Sequence, residues 1–253
     1  MRILIVNDDG YYAPGFEVIR KVAEALGDEV WAVGPETDQS GLAHSLTLSH
    51  PLRLTKLGER DYILRGTPTD CVIMGVRELM PEPPDLVLSG VNLGQNIGDD
   101  VTYSGTVAGA MEGALLGIKS IALSLRVNWG DEMVIHWDTV TEHAPGLIRS
   151  LLDMDFDRQM FVNVNFPDLP PDDVKGVAVV RQGSLEHSLY AEHRRDGRNK
   201  PYYWLRFSGR EADANDDTDV GAIQTGKITV TPLRPDLTFD AGIERLKGVL
   251  VQE

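Results

Sequence analysis

Short, wholly apolar runs alternate with amphipathic stretches through the first half of the chain. Arg2 to Val6 (RILIV) is apolar after its first residue, the pattern of a strand buried on both faces. Phe16, Ile19, Val22, Ala23 and Leu26 then recur every three to four positions, which predicts a helix over 14–26 stopped by Gly27. Glu29 to Val33 (EVWAV) reads as a second strand, and two more are expected at roughly 45–55 and 61–65. Thr67 as cap and Pro68 in the first turn open a helix that runs to Leu79. A buried strand begins at Asp85 to Leu88, a small-residue helix follows over Gly105 to Leu116, and Ser120 to Leu125 is the next strand. Apolar strands separated by helices imply an α/β fold with a mostly parallel, doubly covered sheet.

Beyond residue 126 the pattern loosens. His136 to Leu152 reads as a helix, and Phe161 to Phe166 as a strand ended by Pro167. Val177 to Gln182, Tyr202 to Phe207 and Lys227 to Leu233 read as strands with long polar connections, and 240–250 as a helix. This predicts a β-hairpin that projects from the body. Its uncovered edges suit association between copies. The expected division is a catalytic core over 1–180 and an arm and oligomerisation region over 181–253, with strand 227–233 returning to the core. The polar, acidic stretch 208–221 is expected to be a mobile surface loop.

Composition narrows the field. At 253 residues, 42% hydrophobic and 25% charged, the chain has the balance of a globular protein and needs no staple to fold. With 24 basic and 39 acidic residues its net charge is 24 − 39 = −15, which repels polyanions and argues against a nucleic-acid duplex as partner. A small anion remains admissible where a bound metal reverses the local field. The longest apolar run near the N-terminus is Ile3 to Val6, too short for a membrane span of ~18 residues or a signal-peptide core. The lone Cys71 makes no internal disulfide. A soluble, cytoplasmic protein is expected, with no membrane partner.

In an open parallel sheet, ligands bind beyond the carboxyl ends of the strands. RILIV is followed by Asn7-Asp8-Asp9-Gly10, EVWAV by a turn into Asp38-Gln39-Ser40-Gly41, and DLVL by Ser89-Gly90-Val91-Asn92-Leu93-Gly94-Gln95-Asn96. Two adjacent carboxylates ending a buried strand repel each other, and a divalent cation offsets that repulsion. Asp8-Asp9 taken alone fits a helix cap or turn equally well. Ser40 and Asn92 would complete an all-oxygen shell, which suits Mg²⁺ or Mn²⁺, although each alone is more often a turn residue or cap. Ser104-Gly105-Thr106 opens a helix whose free N–H groups favour phosphate, or is a plain N-cap. Gly41, Gly90 and Gly94 allow positive φ or close backbone approach. No HExxH, GxGxxG after the first strand, GxxxxGK[ST] or GxSxG occurs, which disfavours zinc, classical dinucleotide, P-loop and nucleophile-elbow chemistry.

Asn7-Asp8-Asp9-Gly10, the segment Asp38 to Gly41, Gly66-Thr67-Pro68-Thr69-Asp70-Cys71, Ser89-Gly90-Val91-Asn92 and Tyr103-Ser104-Gly105-Thr106-Val107 together resemble the SurE family, the stationary-phase survival nucleotidases. The similarity continues through Asn163 to Pro167 and Ile228 to Leu233 and spans nearly the whole chain. The resemblance implies a Rossmann-like core with a projecting C-terminal β-hairpin and helix arm that swaps between subunits, giving a homodimer or homotetramer. It implies a metal-dependent phosphomonoesterase acting on nucleoside 5′-monophosphates. It also implies one divalent metal per subunit, on Asp8, Asp9, Ser40 and Asn92.

On that reading Asp8 stands closest to the chemistry, as ligand first and base second. The substrate phosphate is expected near Gly41, Asn96, Ser104, Gly105 and Thr106. Two rivals remain at this stage: a receiver-like Mg²⁺-binding phospho-switch and a nucleotide-binding regulator without catalysis. Receivers are about half this length and need a Lys after a later strand, whereas Lys119 precedes its strand.

Overall fold

The computed structural model describes residues 1–130, 133–185, 188–208 and 215–251. Eleven strands are described: β1 Arg2–Val6, β2 Glu29–Pro35, β3 Arg53–Lys56, β4 Asp61–Arg65, β5 Leu86–Leu93, β6 Lys119–Leu125, β7 Phe161–Phe166, β8 Val177–Val179, β9 Ser188–Arg195, β10 Pro201–Ser208 and β11 Ile228–Leu233. The α-helices are α1 Pro14–Leu26, α2 Pro68–Met74, α3 Gly105–Leu115, α4 Trp137–Leu152, α5 Asp219–Gln224 and α6 Asp240–Leu250.

Nine strands form one sheet in the order β3-β4-β2-β1-β5-β6-β7-β11-β8. The pairings from β4 through β7 are parallel; β3 on β4 and β11 on β7 are antiparallel. The period-two geometry of β1 explains why an all-apolar strand is needed at the centre. Ile3 and Ile5 pack with Phe16, Ile19 and Val22 of α1 and Val140, Ala144 and Ile148 of α4 on one face. Leu4 and Val6 pack with Cys71 and Val72 of α2 on the other. Both faces are therefore covered, as the apolar runs predict, and this is the α/β architecture expected. The separate antiparallel hairpin is β9–β10.

Four details differ from the sequence expectation. The strand expected at 45–55 is only Arg53–Lys56. Residues before it follow an irregular path tied by Thr67 Oγ1 to Ser45 O at 2.8 Å and by Thr47 N–H to Asp70 Oδ1 at 3.1 Å. The helix expected to Leu79 widens into a π turn at Gly75–Leu79, where Gly75 is pressed on Leu4: a Cβ there would lie 2.8 Å from Leu4 Cδ2. Val177–Val179 pairs with β11 in the main sheet, and the hairpin partner of β10 is β9, whose polar sequence (SLYAEHRR) carries no strand signal. Finally, 208–221 is not all surface loop: Thr218 caps the buried helix α5, whose Val220, Ala222 and Ile223 are hidden in the sequence by preceding acids. Positions 209–214 of that stretch lie outside the described residues.

Candidate metal and phosphate site

The parallel register carries three loops to one rim of the sheet. Val6 pairs with Ser89, so Asn7-Asp8-Asp9 leaves β1 beside Gly90-Val91-Asn92 of β5. β2 delivers Pro35 and the following turn to the same end. Hydrogen bonds knit these loops together. Gln39 N–H donates to Asp8 O at 2.8 Å, and Leu93 N–H donates to Asp9 Oδ2 at 3.1 Å. Asp38 Oδ1 accepts from Ser40 N–H at 2.7 Å, which fixes the backbone at Ser40. Asn92 Nδ2 donates to Gly94 O at 2.7 Å, leaving the amide oxygen outside that bond. Sequence-predicted Asp8, Asp9, Ser40 and Asn92 thus sit on three mutually bonded loops.

Asp8 is 3% exposed. Thr106 Oγ1 donates to its Oδ1 at 2.5 Å. The residue before Thr106 must be glycine: a Cβ on Gly105 would lie 2.8 Å from Asp8 Cβ and 2.9 Å from Oδ2. Burial pushes the Asp8 carboxyl up, against the pull of the Thr106 hydroxyl hydrogen bond. Asp9, only partly buried, is raised from 3.8 to about 7, first by burial and then by the neighbouring Asp8 charge. Asp38 adds to the negative field at both.

A buried and a partly buried carboxylate with raised pKa values, and a third acid nearby, need a positive charge. Among the described residues no ion pair reaches Asp8 or Asp9. Among the described residues no three His, Cys, Asp or Glu side chains gather closely enough to hold a metal. A cation here therefore needs neutral oxygens beside the two carboxylates, and the Ser40 hydroxyl and Asn92 carbonyl are oxygens of that kind. A donor set made only of oxygen fits a hard divalent ion.

The proposed phosphate contacts divide. Ser104 is an N-cap, its Oγ accepting from Val107 N–H at 3.0 Å. Thr106 is engaged with Asp8 and orients that carboxylate. Gly105 N–H belongs to the first turn of α3, where helical partners are lacking. Gly41 has φ 77° with nothing within 4 Å of its Cβ position, an open backbone turn beside Ser40. Asn96 is buried, its Nδ2 donating to Ser124 Oγ at 2.9 Å and its carbonyl accepting from Asn163 and Asn165.

Several residues of this framework escape sequence reading. Asn163 and Asn165 are polar positions inside an otherwise apolar strand, and that break in FVNVNF was the available signal. Asp219, fully buried, accepts from Gly98 N–H at 3.1 Å and Gly183 N–H at 2.8 Å, tying the loop after Asn96 to α5. Nothing in the acidic stretch around Asp219 distinguishes it. Elsewhere His44 Nε2 lies 2.9 Å from Glu112 Oε2, and Cys71 is buried, its thiol raised by burial. Among the described residues no helix is long and apolar enough to cross a membrane.

Comparison with known proteins bears on this geometry. The family profile described as "Survival protein SurE" matches residues 3–188. The chain is 55% identical over 251 residues to a protein of Chelativorans sp. (strain BNC1) named 5′-nucleotidase SurE, covering 99% of this chain and 100% of that one. It is 56% identical over 239 residues to a protein of the same name from Brucella canis, covering 94% of each. The crystal structure of the Sure protein from Aquifex aeolicus superposes with a TM-score of 0.84 at 39% identity, covering 98% of this chain and 99% of that one.

Proposed function

The chain belongs to the SurE family and is a 5′-nucleotidase; we propose that Asp8, Asp9, Ser40 and Asn92 hold one divalent cation, Mg²⁺ or Mn²⁺, in each subunit. The observation that carries this reading is the Asp8–Asp9 pair at the carboxyl end of β1, the first buried and the second partly so, both raised in pKa and bonded to both neighbouring loops.

When bound, such a cation supplies Lewis-acid polarisation of the phosphoryl group and offsets its negative charge. The chain's own residues do the rest. Thr106 holds the Asp8 carboxylate through its hydroxyl, and Gly105 lets the start of α3 close onto it. Asp8 is the residue assigned nearest to the chemistry, as ligand first and, second, as the base that takes a proton from attacking water. Backbone N–H groups at Gly105 and Gly41, with Ser104 and Asn96 shaping the loop, receive the remaining phosphate oxygens. Water attacks in line, giving one proton to Asp8, the ester P–O bond breaks, and the nucleoside oxygen leaves with the proton that Asp8 passes on.

The same reading makes 1–180 the catalytic core and 181–253 the arm and oligomerisation region, from which β11 returns to the main sheet, and the chain a cytoplasmic homodimer or homotetramer. Exposed Tyr203, Trp204 and Leu205 on the hairpin support a protein partner for that arm. A metal-by-substrate matrix tests the function: after chelation, phosphate release from a panel of nucleoside monophosphates should vanish and return with Mg²⁺ or Mn²⁺. Undiminished release in excess chelator contradicts the metal assignment.

A further inference from the structure

β3 and β4 pair antiparallel with Arg53 directly opposite Arg65. Like charges directly opposite in a ladder are destabilising. Among the described residues neither guanidinium has an ion pair or side-chain hydrogen bond that would relieve the repulsion. Both line a cavity of about 560 Å³, in the range that small-molecule sites occupy, together with Glu36, Thr37, Gln39 and His50. Pro51 is the one apolar side chain among the described lining residues. Two arginines against the single Glu36 leave it locally positive in a chain of net charge −15.

The cavity adjoins the metal loops. Gln39 lines it, and the same residue's N–H donates to Asp8 O at 2.8 Å. Thr37 also lines it, and its carbonyl carbon lies 3.5 Å from the Cβ position of Gly10 in the Asp8-Asp9 turn. The segment 36–39 is therefore one wall of the cavity and the approach to Ser40.

We propose that this cavity is a second anion subsite, in which Arg53 and Arg65 take a phosphate carried on the nucleoside side of the substrate. The preferred ligand class is then a nucleotide with a second phosphate on its sugar. This rests on the nucleotidase reading. An unrelieved arginine pair costs stability when empty and is relieved by a dianion that both forks can grip. Neutral nucleosides gain nothing from it.

The test compares a nucleoside 5′-monophosphate with the corresponding 3′,5′-bisphosphate in wild type, Arg53→Gln, Arg65→Gln and the double variant. Wild type should show the lower KM for the bisphosphate. Each substitution should raise that KM by about tenfold, the scale of one charged hydrogen bond, with the monophosphate constants unchanged. Equal losses on both substrates, or no change on either, would overturn the proposal. Folding is checked by thermal unfolding: removing one of two like charges should leave Tm equal or higher. Calorimetric titration with inorganic pyrophosphate reads the cavity independently of turnover, and binding should weaken at least tenfold in the double variant. If wild type hydrolyses neither nucleotide, the nucleotidase reading fails while the titration still judges the cavity. Pyrophosphate binding without any preference for the bisphosphate assigns the cavity to a free anion and refutes the substrate role.

Discussion

Asp9 should destabilise the metal-free protein, and replacing it should make that protein more stable while removing function. Its carboxyl is raised from 3.8 to about 7 by burial and by Asp8. Between those values the folded chain binds a proton that the unfolded chain has released, so stability falls as pH rises. The contribution is fully present below 3.8 and is lost as pH climbs through about 7. At about 1.4 kcal/mol for each pH unit, the ceiling is about 4 kcal/mol. Partial solvent access at Asp9 lowers the expectation to about 2–4 kcal/mol. Asp9→Asn removes the ionisation, and its amide oxygen can still accept from Leu93 N–H, so the 3.1 Å hydrogen bond need not be lost. The assay is urea unfolding in excess chelator at pH 4 and pH 8. Wild type and variant should be closely matched at pH 4, and the variant should be more stable at pH 8. Adding Mn²⁺ should stabilise wild type and do little for the variant, because ion binding to the folded state shifts the equilibrium. A variant that is no more stable than wild type at pH 8 would refute the electrostatic argument.

Other consequences follow from the same geometry. Asp8→Asn should lower kcat by orders of magnitude with an unchanged circular dichroism spectrum; near-normal turnover would remove Asp8 from the chemistry. Thr106→Val should reduce activity or metal affinity by about 10–100-fold, as loss of an orienting partner does, and Thr106→Ser should restore most of it; equal behaviour of the two variants would deny the hydroxyl its role. Asp219→Ala strips acceptors from Gly98 N–H and Gly183 N–H and should cost about 2–4 kcal/mol in urea unfolding, with Asp219→Asn milder.

The first half of the fold was legible because its strands are buried on both faces, so composition alone marks them. Ile3 to Val6 can be little other than a central strand. The ligand-bearing loops were legible because parallel topology sends the residues after each strand to one rim. The roles within those loops were not. Thr106 looks like a phosphate contact at a helix start, and only the fold brings it across 98 residues to Asp8. Asn96 reads as a phosphate contact and proves buried, its side chain donating to Ser124. The later elements were obscured for a different reason. β9 is a projecting ribbon whose polar sequence needs no buried face, and α5 is short, with its apolar residues following a run of acids. Arg53 and Arg65 are unremarkable surface residues until the register sets them opposite each other.

The central claim is that Asp8 and Asp9 are held together by a cation. Calorimetric titration of Mn²⁺ into chelator-stripped protein tests it most directly, without recourse to turnover. One ion per chain should bind in wild type, with affinity that weakens as pH falls below about 7 because Asp9 must release its proton, and Asp8→Asn should abolish the binding. Undiminished binding in Asp8→Asn, or none in wild type at pH 8, would contradict the account.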